Sequence, residues 1–253
     1  GHVAFSAGRG TTASGNYSTA MGYSTIATET FSTAMGYGTT ASGDISTAIG
    51  YATTASGDVS TAMGNNTGAI GNFSTAMGGS TTAHGNNSTA MGHLTTAHGD
   101  YSTAMGNSTI AHGNNSTAMG FDTIANGNNS TAMGFESIAN GYNSTAMGHN
   151  TSASGVNSTT MGVGTSASGD LSTAMGVQTY ARDYASLVIG QYNSSGYWAT
   201  NATNYSPSNT AFVIGNGANN SNRSDAFKVM FNGNTTIGGN DLTIGDLSAF
   251  SGT

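Results

Sequence analysis

Small residues alternate with other residues along most of this chain, and the alternation repeats. Ala recurs every seven residues from Ala13 to Ala181, at 24 of 25 positions, with Thr160 the exception. Ser or Thr stands two residues before it at all 25 positions, and Gly two residues after it at 23, Glu29 and Asp183 departing. From Thr11 to Thr123 the first position alternates strictly between Thr and Ser, so the full period is double, built from two unlike halves. One half reads Ser-Thr-Ala-Met-Gly, as in Ser102–Gly106; the other is polar and variable, as in Thr95-Thr96-Ala97-His98-Gly99. Within each half the pattern has period two, which is a strand signal. A coiled coil needs large apolar residues at two positions per heptad, and Ser/Thr, Ala and Gly occupy them here. Gly in every heptad would also cost about 1 kcal/mol each in a helix.

The pattern predicts a solenoid in which each double repeat is one coil: strand, tight turn, strand, tight turn, with Asn, Asp and Gly making the turns. Coils would stack as parallel strands about 4.8 Å apart, so a dozen make a rod about 60 Å long. Ser/Thr, Ala and Gly point inward, because a two-stranded coil has little interior. Thr and Met of the Ser half then point outward. The Met column is Met21, Met35, Ile49, Met63, Met77, Met91, Met105, Met119, Met133, Met147, Met161, Met175 and Ile189, with a Thr column from Thr19 to Thr173 beside it. Eleven Met and two Ile along a rod favour association at about 1.5–3 kcal/mol each. Cyclic assembly would bury them on a common axis. The other possibility, Met inside its own coil, conflicts with the Ala and Gly already assigned there.

Composition supports a repeat protein over an ordinary domain. Leu, Ile, Val and Phe make only 33 of 253 residues, which suits no conventional core. Disordered chains are usually rich in charge and proline, yet here only 6% of the chain is charged and there is a single Pro. A repeat that buries a little surface many times fits better. The net charge is −7, and no Lys or Arg lies between residues 10 and 181. Nucleic-acid binding and contact with anionic membranes are therefore not expected. No apolar stretch approaches the roughly 20 residues of a membrane span. No signal peptide is read at the N-terminus, where Gly1-His2 fits a cloning remnant on a fragment of a longer chain. Without cysteine there are no disulfides.

These residues resemble the YadA-like head repeat of trimeric autotransporter adhesins, whose motif has the form N-S-x-A-x-G-x-x-S-x-A-x-G. Asn87-Ser88-Thr89-Ala90-Met91-Gly92 through Thr95-Thr96-Ala97-His98-Gly99 matches it with Thr for the second Ser, and Asn115, Asn129, Asn143 and Asn157 repeat the leading Asn. The resemblance implies an all-β, left-handed parallel β-roll assembled as a homotrimer with the apolar strand at its axis. Handedness and the number three come from the resemblance alone. It also implies an extracellular fibre, on a bacterial surface or in a virion, since viral tail-fibre shafts carry similar repeats. The chain divides into head repeats at 1–190, an aromatic insertion at 191–209, and a terminal part at 210–253. In the last, Arg223–Val229 resembles a neck, and Thr235–Gly239 with Leu242–Gly245 the start of a shaft.

The expected function is a non-enzymatic, rigid trimeric module presenting a repetitive polar surface. Its partners would be itself and a host-surface glycan or matrix protein. The alternative is ice binding through Thr columns such as Thr12, Thr40, Thr54, Thr82 and Thr96, which Ile, His and Asn interrupt. No nucleophile, base and orienting group occur together, and no cofactor is expected. His84, His98 and His112 should stack; three solvated copies of a duplicated coil are a simpler reading than a metal site, which needs converging ligands. Asp44, Asp58, Asp100 and Asp170 read as turn formers rather than calcium ligands. Tyr192, Tyr197, Trp198 and Tyr205, in the insertion, either cap the rod's open end or form a recognition loop. The cap is the simpler reading, because a solenoid needs one.

Overall fold

The computed structural model describes residues 3–238, so Gly1-His2 and the shaft-like Leu242–Gly245 lie outside the described residues. The chain is a parallel β-solenoid of about 13 turns, one turn for each double repeat. Five-residue strands recur once per turn, from Phe5–Arg9 and Thr19–Tyr23 to Leu187–Gln191. Each pairs in parallel and in register with the next, as Ala104 with Ala118 and Met105 with Met119. A second sheet of 13 two-residue strands runs from Thr12–Ala13 to Tyr180–Ala181 on the other side of the coil.

The two halves are thus less alike than their shared seven-residue motif suggests. The polar half is extended for only two residues because the chain begins to turn right after its Ala. There one carbonyl serves two donors: Ala111 O accepts from His98 N at 2.8 Å and from Gly99 N at 3.4 Å.

The interior is a double file of alanines. Ala104, Ala111, Ala118 and Ala125 are all fully buried, as are the equivalent alanines from Ala20 to Ala181. Met residues stay out of it: Met21 and Ile49 are 37% exposed and Met161 36%, and the rest of the column is half-buried. Met therefore does not fill the interior of its own coil. At one corner some of the buried Ser residues close the turn by donating to the Gly carbonyl three residues back, at 2.6 Å from Ser88 to Gly85 and 2.8 Å from Ser18 to Gly15, while others, such as Ser102 and Ser116, have no partner. The Thr hydroxyls at the other corner, from Thr25 to Thr123 in every coil, have no hydrogen-bond partner. They supply volume to the interior rather than hydrogen bonds. Ala118→Leu should destabilise the protein by about 1–3 kcal/mol, because the facing strands leave no room for three more carbons. Thr117→Val, on the outward side, should be near neutral in the same thermal melts, and equal effects would mean that the faces are wrongly assigned.

Both turns hold a residue in the left-handed region. One column includes Tyr17, Ile45, Val59, Asn87 and Asn115, with φ between 56° and 58°; the other includes Ser24, Asn66 and Asp122. Asn tolerates this region, whereas β-branched residues are strained there. Val59, at φ 56°, is 42% exposed, so little packing offsets its strain. Val59→Asn should stabilise by about 1 kcal/mol, read as a rise in melting temperature of about 2–4 °C. A fall would show that the valine packs usefully.

The regular ladder ends at Leu187–Gln191. Thr210–Asn216 adds one more parallel strand, Val213 on Val188, after the long excursion between them. Asp225–Met230 and Thr235–Ile237 then add antiparallel strands to that edge. Among the described residues, only this end has larger buried apolar side chains, Val188 and Val213.

Candidate functional site

Three kinds of surface leave the coil. The long-strand face carries the Thr and Met columns side by side. That strand continues past Gly to one residue that simple repeat counting places in the turn. At three successive coils this residue is tyrosine, and Tyr23, Tyr37 and Tyr51 stack with centroids 4.9 and 5.1 Å apart. Arg9 sits 5.6 Å over the first ring. Farther along, Phe121 and Phe135 stack at 5.0 Å. The signal was in the sequence, as aromatics recurring at the spacing of the double repeat.

The short-strand face and the turns carry polar ladders. Asp58 Oδ1 accepts from Asp44 N at 3.1 Å, Asn72 from Asp58 at 2.9 Å, and Asp100 from Asn86 at 2.7 Å. Each carboxylate or amide therefore binds the equivalent backbone of the preceding coil, which is a turn-forming use of Asp. Asn143 links Asn129 to Asn157 through amides 3.0 and 2.9 Å apart. His84, His98 and His112 stack with parallel rings 4.9 and 4.7 Å apart. Parallel stacking leaves their nitrogens side by side instead of converging. Among the described residues no group of three or more His, Cys, Asp or Glu is placed to hold a metal. Burial, followed by repulsion from His112 and His84, holds the His98 imidazole below its ordinary pKa. The His98 ring therefore resists protonation as pH falls below about 6.5.

The third surface is the insertion at 191–209, which folds back on the last coils. Asp183, where the repeat would have Gly, points its carboxylate at the excursion. It accepts from Thr200 N at 2.5 Å, Asn201 N at 3.4 Å and Thr210 N at 2.8 Å. The buried Asn193 side chain accepts from Tyr180 N at 2.8 Å and donates to Tyr180 O at 3.0 Å. Its amide thus occupies the place of a further strand on the open edge of the short-strand sheet. Asp225 accepts from Ser194 N and Ser195 N, both at 2.8 Å.

Over this base the rings gather around two guanidinium groups. Arg223 lies 4.5 Å from Tyr180, 4.8 Å from Tyr197 and 5.6 Å from Tyr192. It also donates to the carbonyls of Gln178 and Asn193. Arg182 lies 4.9 Å from Tyr180, 5.1 Å from Tyr197 and 5.8 Å from Trp198. Trp198 is 78% exposed, and Tyr205 is exposed with its ring edge against Phe231.

Matches to the YadA head domain repeat tile the chain from residue 7 to residue 193, one beginning at 7–25 and the last at 167–193. The chain belongs to the YadA head repeat family. No curated protein matches the chain closely enough to count as a relative. The YadA head matches end at residue 193, so they take in Tyr180, Arg182 and Tyr192 and leave Tyr197, Trp198 and Tyr205 outside. Sequence reading gathered the four aromatic residues of the loop but missed Tyr180, Arg182 and Asp183. The only sequence signal for them was Asp183 breaking the Gly column.

Proposed function

We propose that this chain is a non-enzymatic structural and adhesive module, a rigid head or shaft segment of an extracellular trimeric fibre. The observation that carries this reading is the Met column. Eleven Met and two Ile stand in register along one face, none of them fully buried. A continuous apolar stripe of that length is unfavourable in water. Three copies around a common axis would cover it, with the roll wound left-handed as the resemblance implies. The polar short-strand faces would then point outward on all three chains.

Attachment in this reading depends on repetition. A stiff rod holds weak contacts at fixed spacing on three chains, so their effects multiply without any single tight site. The host partner would be a surface glycan or matrix protein, with the fibre on a bacterial cell or a virion. Sedimentation equilibrium of the purified protein tests the assembly: a species of about three times 25.1 kDa is expected. A monomer at micromolar concentration would overturn the axial role of the Met face. Beads coated with the trimer should adhere to a host-cell layer above the level of bare beads.

A further inference from the structure

We infer that Tyr180, Arg182, Tyr197 and Trp198 form a binding site for an acidic sugar, a pyranose carrying a carboxylate. Three features meet there. Trp198 leaves most of its indole in water, although a ring of that size is normally covered. Such a ring offers a flat apolar surface to the C–H face of a pyranose. Arg182 is held among three rings yet, among the described residues, makes no hydrogen bond and no ion pair. Its donors are unspent and match a carboxylate in a two-pronged arrangement. Arg223 shares two of these rings, Tyr180 and Tyr197, but its donors already bind backbone carbonyls, so it braces the platform.

Charge and position support the assignment. Three of the four cations, Arg182, Arg223 and Lys228, fall in the last quarter of the described chain, whereas the preceding coils have none after Arg9. The acidic groups nearest in sequence are engaged: Asp183 and Asp225 both accept backbone N–H bonds from the excursion. The base of the site is the outward side of the strand Tyr180–Ala181, opposite the Met face. An assembly that buries the Met column therefore leaves the site open, in three copies. This deepens the adhesive reading by naming a ligand class, although it needs no trimer to be tested.

The test is titration calorimetry of the whole chain with 3′-sialyllactose and a hyaluronan tetrasaccharide, against lactose and tetraglutamate. At least one acidic sugar should bind, and lactose and tetraglutamate should bind at least tenfold more weakly. Arg182→Gln and Trp198→Ala should each weaken binding about tenfold or more, the loss of a charged hydrogen bond or a stacked ring. Trp198→Phe should restore part of it, and all three variants should melt with the wild type. No binding of either acidic sugar, equal binding of lactose or tetraglutamate, or full binding by Arg182→Gln would overturn the site. A monomer that binds the sugar would sink the trimeric fibre alone; a trimer that ignores it would sink only this site.

Discussion

Gly106→Ala is expected to cost more than about 3 kcal/mol, a loss shared by the equivalent glycines of the column, such as Gly120. Gly106 has φ 127°, where L side chains are rarely found, and a Cβ there would lie 2.0 Å from the carbonyl oxygen of Gly120 in the next coil. That oxygen is backbone, held in a parallel ladder, so it cannot swing away as a flexible side chain would. The coils on either side must part or the strand must lose its register. Because each coil touches only its neighbours, the break should divide the rod into two units that melt separately. Gly38 is the control. Its φ is 62° and a Cβ would meet nothing within 4 Å, so Gly38→Asn should melt within about 0.5 kcal/mol of wild type. A Gly106→Ala protein with a wild-type single transition would show that the coils do not stack as closely as described.

The second large effect concerns assembly. Met119→Asp should abolish the proposed trimer at pH 7 while leaving the solenoid itself folded. Met119 is half-buried in the single chain, so in a monomer an aspartate at that position keeps contact with water. In a trimer three carboxylates would lie together on the axis, with no Lys or Arg between residues 10 and 181 to pair with. Desolvation and mutual repulsion both raise the pKa of such a group, by up to about 3–5 units for a fully buried carboxyl. The sign follows: assembly is opposed above the raised pKa and recovers as pH falls and the carboxyls become neutral. Sedimentation should give monomer or aggregate at pH 7 and partial recovery of trimer toward pH 4, whereas Met119→Leu should stay trimeric throughout. A trimeric Met119→Asp at pH 7 would remove the Met face from the interface.

The sequence by itself determined the coil. A strict double repeat with Ser/Thr, Ala and Gly at alternate positions admits only strands with a thin interior, because larger residues would not fit between facing backbones. It also placed Met on the outside, since the interior was already assigned, and the turns at Asn and Asp. Those features are local: each follows from the size or φ preference of a residue repeated many times. The tertiary structure decided what depends on stacking or on contacts far apart in the chain. It shortened the polar strand to two residues, because the Ala carbonyl accepts two donors from the coil before it. It extended the Met strand to Tyr23 and its equivalents, which sequence spacing alone assigns to the turn. Above all it brought Arg182 of the last coil against Tyr197 and Trp198, and Tyr180 against Tyr197 and Arg223. That union depends on Asp183 accepting the N–H groups of residues 200, 201 and 210. A single Asp in a Gly column marks that something changes there; only the folded chain shows where its carboxylate points and which rings it thereby collects.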